Sequence, residues 1–128
     1  MQGNFGSTFT GISISFVNGI TSLAEGNTIA GIVLSGQRNR FIGIMAGQGN
    51  VNINNNTIGS DTGVDSIVNT NTTTGNGDIT AIYCATGTQN VTTNRIGGLT
   101  MCGDTLDKGG SVTGIYADTG TKTFSNKR

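Results

Sequence analysis

Four copies of one short pattern, apolar-x-small-Ile, recur along the chain and restrict its fold more than any other feature. They are Phe9-Thr-Gly-Ile12, Phe41-Ile-Gly-Ile44, Ile79-Thr-Ala-Ile82 and Val112-Thr-Gly-Ile115, and their starts lie 32, 38 and 33 residues apart. The match continues downstream. Ile53-Asn-Asn-Asn-Thr-Ile58-Gly59 takes the same offset in the second copy as Val91-Thr-Thr-Asn-Arg-Ile96-Gly97 takes in the third, and Phe124-Ser-Asn-Lys-Arg128 opens the same block in the fourth. In the first copy the equivalent is Ala24-Glu-Gly-Asn-Thr-Ile29-Ala30, displaced by a three-residue insertion. Self-similarity at such a period marks a solenoid, blade or array whose units bury their apolar faces only against their neighbours.

Helical repeats do not suit this chain. Of its 128 residues, 67 are Gly, Thr, Asn or Ser, and there is no Pro. Gly costs a helix about 1 kcal/mol relative to Ala, Thr and Asn favour turns and caps, and no window carries apolar residues at helical spacing over three turns. Short strands fit better. Gly11-Ile-Ser-Ile-Ser-Phe16 and Val51-Asn-Ile53 alternate apolar and polar residues, which sends Ile, Val and Phe to one face and Ser and Asn to the other.

Two closed designs use such units, a propeller blade and a parallel β-helix coil. The second stacks equivalent residues directly above one another. Asn56 and Asn94 hold matched positions just after a strand, where Asn tolerates a positive φ and stacked amides share hydrogen bonds. The expectation is therefore an all-β, right-handed parallel β-helix of about three and a half coils in one domain, residues 1–128. Residues 1–8 form the lead-in, and coils start near positions 9, 41, 79 and 112. Ile12, Ile44, Ile82 and Ile115 are expected to point inward as one aliphatic column.

The pattern Gly-Ile-Tyr-x-x-x-Gly-Thr-x-x-Val-x-x-Asn-x-Ile-Gly runs from Ala81-Ile82-Tyr83 to Gly97 and again from Gly114-Ile115-Tyr116 to Arg128. It resembles the β-helix repeats of the pectate-lyase-like superfamily, and more narrowly is similar to Thr-, Asn- and Gly-rich arrays in large secreted or cell-surface proteins of bacteria. The resemblance covers roughly residues 9–128. It implies a fold rather than one activity, because the superfamily includes polysaccharide lyases, hydrolases, epimerases, tailspikes and adhesins.

Several classes of chemistry are closed to these side chains. The chain has no His, which removes Ser-His-Asp and Cys-His relays and leaves two Cys, too few for zinc. A lyase, as the resemblance implies, needs a calcium-binding cluster of acids and a basic residue on adjacent coils. Asp61, Asp65, Asp104 and Asp107 are the candidates, falling in the variable segments after Ile58-Gly59 and Ile96-Gly97. Calcium takes 6 to 8 oxygens, and solvated loop acids are the plainer alternative. Gly75-Asn-Gly-Asp78 is half of a calcium-binding nonapeptide and, occurring once, reads as a turn. Tyr83 and Tyr116 are expected to stack outward as a platform for a sugar ring. Arg95, with Arg38 and Arg40, would clamp an acidic sugar through the guanidinium fork. Cys84 matches the small residues Ala46 and Ala117 of neighbouring coils, and Cys84 and Cys102 are expected to be buried free thiols, a disulfide between them being the alternative that a secreted chain allows if their Cα atoms come within about 7 Å.

The formal net charge is zero, which offers no electrostatic footing for nucleic acid. Apolar runs of three or four residues cannot cross a bilayer, and the first residues do not read as a secretory signal. A threonine-rich ice-binding face would require Thr-x-Thr at one strand position in every coil, whereas Thr72 to Thr74 fall in the longest variable insertion. The expected role is a non-catalytic structural, adhesive or interaction module, extracellular or on a cell surface. The alternative is a polysaccharide-binding or polysaccharide-cleaving β-helix with calcium as cofactor. Met1 to Ser7 suggest no capping helix, and Arg128 falls one residue short of the position that Ile58 and Ile96 fill. The expected partners are accordingly another copy of the chain at the coil ends, or flanking repeats.

Overall fold

A computed structural model describes residues 6–16, 19–60, 62, 66–71, 77–103 and 110–125. Short strands carry the chain round a common axis. The first turn consists of β1 (Thr8–Ile14), β2 (Thr21–Glu25), β3 (Thr28–Ile29) and β4 (Ile32–Gly36). The second consists of β5 (Arg40–Ala46), β6 (Asn50–Asn54), β7 (Thr57–Gly59) and β8 (Ile67–Asn71). The third consists of β9 (Gly77–Cys84), β10 (Thr88–Thr92), β11 (Arg95–Gly97) and β12 (Leu99–Gly103), and β13 (Gly110–Ala117) and β14 (Thr121–Ser125) begin a fourth. Every pairing is parallel and joins equivalent strands of successive turns, giving four sheets in the orders β1-β5-β9-β13, β14-β10-β6-β2, β11-β7-β3 and β12-β8-β4. This is a parallel β-solenoid of three turns and part of another, as the repeat predicts.

Register makes the internal repeat physical. Ile12, Ile44, Ile82 and Ile115 pair in sequence across the first sheet. Phe9, Phe41, Ile79 and Val112 form a second inward column, and Ala24, Ile53, Val91 and Phe124 a third. Ile29 pairs with Ile58 and Ile58 with Ile96, which places the displaced block of the first copy where the sequence puts it. The small residue of the motif also points in: a Cβ on Gly43 would crowd the Ala81 carbonyl and the Ile58 side chain. Gly59 completes the Ile-Gly pair at a φ of 84°, and a side chain there would overlap the Gly97 carbonyl.

The turn after the second strand of each coil corrects one expectation. The positive φ falls on Asn55 (53°) and Thr93 (53°), one residue before Asn56 and Asn94. Gly26 (68°) takes that position in the first turn. The asparagine that follows is thereby swung inward. Asn56 is fully buried, its Oδ1 accepts from the backbone N–H (3.0 Å) and Nδ2 (2.9 Å) of Asn27, and Asn94 Oδ1 accepts the same two bonds from Asn56 (3.0 and 2.9 Å). Asn126, the nearest asparagine of the fourth copy, lies outside the described residues.

Covered columns are dry and terminal ones are not. Ile44 and Ile82 are 0% exposed, Ile12 is half-buried, and Ile115, over which no strand lies among the described residues, is 41% exposed. Replacing Ile82 by Ala should therefore cost about 2 to 5 kcal/mol through lost burial and a residual cavity, and Ile115→Ala distinctly less. Denaturant titration of both variants measures this; equal losses would contradict the placement of Ile115 at an open end.

Candidate functional site

Two surface features concentrate chemistry. The first is a cleft on the outer face of the sheet formed by β1, β5, β9 and β13, lined by Arg40, Asp78, Thr80, Tyr83, Ser111, Thr113 and Tyr116. Strand alternation sends these residues outward, and parallel register brings Asp78 beside both Arg40 and Ser111, and Tyr83 beside Tyr116. Ser111 Oγ donates to Asp78 Oδ1 at 2.7 Å. The tyrosine rings stack with centroids 5.0 Å apart and planes 16° from parallel, and the Arg40 guanidinium stands 5.5 Å from the centre of the Tyr83 ring.

The two rings stack as the repeat predicts, and Arg40 and Tyr116 come from strands on opposite sides of β9, so both faces of Tyr83 are engaged. Tyr116, 46% exposed, keeps one face toward the open end. Arg95 does not join them. It lines a separate cleft with Asn55, Asn56, Thr57 and Thr93, on another side of the coil. Of the three arginines the sequence offers for an acidic sugar, it is Arg40 that lines the tyrosine cleft.

The second feature is the C-terminal end of the stack, where Val91, Thr93, Asn94, Ile96, Ile115, Phe124 and Ser125 line an open groove. It exists because β14 covers β10 while, among the described residues, no strand covers β11. Val112 (48% exposed), Ile115 and Phe124 (47%) are the uncovered last members of inward columns. At the other end Phe9 is 38% exposed, its ring stacked 5.7 Å from that of Phe41 on one side only.

The four calcium candidates, Asp61, Asp65, Asp104 and Asp107, lie outside the described residues, as do Gly75 and Asn76; Gly77 and Asp78 open β9. Among the described residues no group of three or more acids and thiols converges as a metal site. Asn52 and Asn90 on one outer face are linked amide to amide at 3.0 Å, and Thr92 donates to Asn54 at 2.6 Å, but Leu23 and Glu25 take the matching positions in the first turn. The polar rank thus does not extend to every coil. No helix among the described residues is long and apolar enough to cross a membrane.

No protein-family model matches the chain, and no curated protein or solved structure is detectably similar to it.

The thiols behave differently from each other. Cys84 is buried between Ala46 and Ala117, and burial pushes its pKa up, with Lys122 partly offsetting the shift. Cys102 is exposed on β12, which corrects the expectation of two buried thiols: its repeat position faces outward beside Thr70. Raised pKa and burial both lower the reactive thiolate fraction. An aromatic disulfide reagent should titrate one thiol in the native chain and two in denaturant, and Cys102→Ser should abolish the native reaction. Two fast native thiols would contradict this placement.

Proposed function

We propose that the chain is a non-catalytic structural and interaction module of an extracellular or cell-surface protein, and that its coil ends are its working surfaces. The observation that carries this reading is the contrast along each inward column. Phe41, Ile44, Ile79 and Ile82 are completely buried, whereas their terminal counterparts Phe9, Val112 and Ile115 are each more than a third exposed. A solenoid normally needs a polar cap on such a face, and its open backbone edge is a template for further pairing. A further β-coil, from a second copy or a flanking repeat, has the matching chemistry. Contact of one end with the other is heterologous and does not close, so copies docked this way run on into filaments.

Light scattering and sedimentation across a wide concentration range test this directly. Mass should rise with concentration, electron microscopy should show filaments, and the double variant Ile115→Asp/Phe124→Asp should remain monomeric. A wild-type monomer at high concentration would overturn the self-docking form.

A second reading, polysaccharide recognition, is favoured by the first cleft. Its Asp78 carboxylate and the hydroxyls of Thr80, Ser111 and Thr113 can satisfy vicinal sugar hydroxyls. The chain has two tyrosines and no tryptophan, and both tyrosines line this cleft. Intrinsic fluorescence therefore reports on it alone. Titration with cello-, xylo- and galacturono-hexaose, with and without calcium, should change that emission saturably and lose the effect in Asp78→Ala; unaltered emission throughout would exclude the reading.

A further inference from the structure

The stacked tyrosines of the first cleft meet the requirements for a covalent bond to each other. Parallel register holds them in place, since Tyr83 pairs with Tyr116 between the inward pairs Ile82–Ile115 and Cys84–Ala117. Their centroids stand 5.0 Å apart with planes 16° from parallel, the separation that neighbouring strands about 4.8 Å apart impose. Ring carbons of one phenol therefore already touch those of the other. A tilt about the side-chain torsions brings the carbons ortho to the two hydroxyls together while the strands stay where they are.

The surroundings favour coupling within this pair. Arg40 stands 5.5 Å from the centre of the Tyr83 ring on its other face, so Tyr116 is the one aromatic ring stacked on it among the described residues. Tyr116 is 46% exposed and open to an oxidant. The chain has two tyrosines and no tryptophan, so removal of single electrons from its aromatic rings falls on these two. Met45, beside Tyr83 on β5, takes up oxygen as a sulfoxide and forms no ring link. Cys84 is buried, and Cys102 lies on a different sheet.

We propose that Tyr83 and Tyr116 are an oxidative cross-linking site, joined through the ring carbons ortho to their hydroxyls when a haem peroxidase and hydrogen peroxide supply the oxidising equivalents. Each phenol gives up one electron and its hydroxyl proton. The two phenoxyl radicals couple by a carbon–carbon bond, and each coupled carbon passes its hydrogen to the neighbouring oxygen, which restores both rings. The peroxide takes the two electrons and two protons and leaves as two waters, so the protein loses two hydrogen atoms in all. The bond ties β13, exposed at seven of its eight residues, to the largely buried β9. It also closes the chain between positions 33 apart, which restricts the unfolded state as any cross-link does.

The test uses the full chain carrying Cys102→Ser, treated with a haem peroxidase and hydrogen peroxide, run on a denaturing gel and digested for tandem mass spectrometry. Dityrosine emission is expected in the monomer band, with a Tyr83 peptide joined to a Tyr116 peptide at a mass two hydrogens below their sum. Tyr116→Phe keeps the ring stack and should lose the product. The same treatment in denaturant should yield about tenfold less, because closure of a long flexible loop replaces a fixed contact. Linked chain should also exchange its β13 amides more slowly than untreated chain. No linked monomer from the native chain, links only between chains, equal yield in denaturant, or unchanged β13 exchange in the linked chain would overturn the inference.

Discussion

Buried amides that can be satisfied only by the next coil hold this structure together. Inside a coil, Asn56 has a carbonyl oxygen and an amide nitrogen removed from water, and an unmade hydrogen bond there costs about 1 to 3 kcal/mol. Both groups are satisfied, but by Asn27 and Ala24 on one side and Asn94 on the other. No single coil can meet that demand. Coils must stack in register, and once they do, the isoleucines two residues later stack as well. The turn geometry serves the same constraint, because the positive φ at Gly26, Asn55 and Thr93 turns the following asparagine into the interior. Thr is a costly occupant of that position, since its branched Cβ crowds the backbone in the left-handed region.

A fold supported this way is nearly one-dimensional, with stability shared between each coil and its neighbours. The middle turns are therefore complete in a sense that the ends are not. Other inward polar groups in the later turns place their donors on backbone carbonyls of the same or the preceding coil, while the buried side-chain oxygens of Gln89 and Asn69 have no hydrogen-bond partner among the described residues. The Gln89 amide reaches the Thr86 carbonyl at 2.8 Å, and the Lys122 ammonium, at the equivalent position one coil on, reaches the Gly87 carbonyl at 3.2 Å. Asn69, buried between Leu34 and Met101, donates to the Asn39 carbonyl at 2.8 Å and so ties the turn that leads into β5. At the terminal coil, Val112, Ile115 and Phe124 are, among the described residues, the last members of their columns and are each more than a third exposed.

Much of this was legible in the repeat. The column of Ile12, Ile44, Ile82 and Ile115, the match of Cys84 to Ala46 and Ala117, the pairing of Tyr83 with Tyr116 and the displaced first block all follow from aligning four copies, because parallel register converts sequence offset directly into contact. What escaped was set by geometry within the coil. Asn56 was placed correctly, but its role as the residue after the turn, rather than the turn itself, depends on one dihedral. The tyrosine stack was readable, since parallel neighbours lie about 4.8 Å apart, but that the Arg40 guanidinium stands over the other face of Tyr83 was not. Arg95 and Arg40 look equally available in the sequence, and only the corner between sheets separates them. Cys102 lies on a strand of the fourth sheet, whose alternation the motif did not reach, so its outward direction was not readable.

Amide hydrogen exchange followed residue by residue in the purified chain tests the central claim most directly, that each coil is held by its neighbours through the ladder and the stacked columns. The slowest exchange should fall in β5 to β7 and β9 to β11, with Asn56 N–H among the most protected, and protection should decline toward β1 and fastest of all in β13 and β14. Uniform protection from first strand to last, or an Asn56 N–H that exchanges as quickly as the exposed turn before it, would contradict the account.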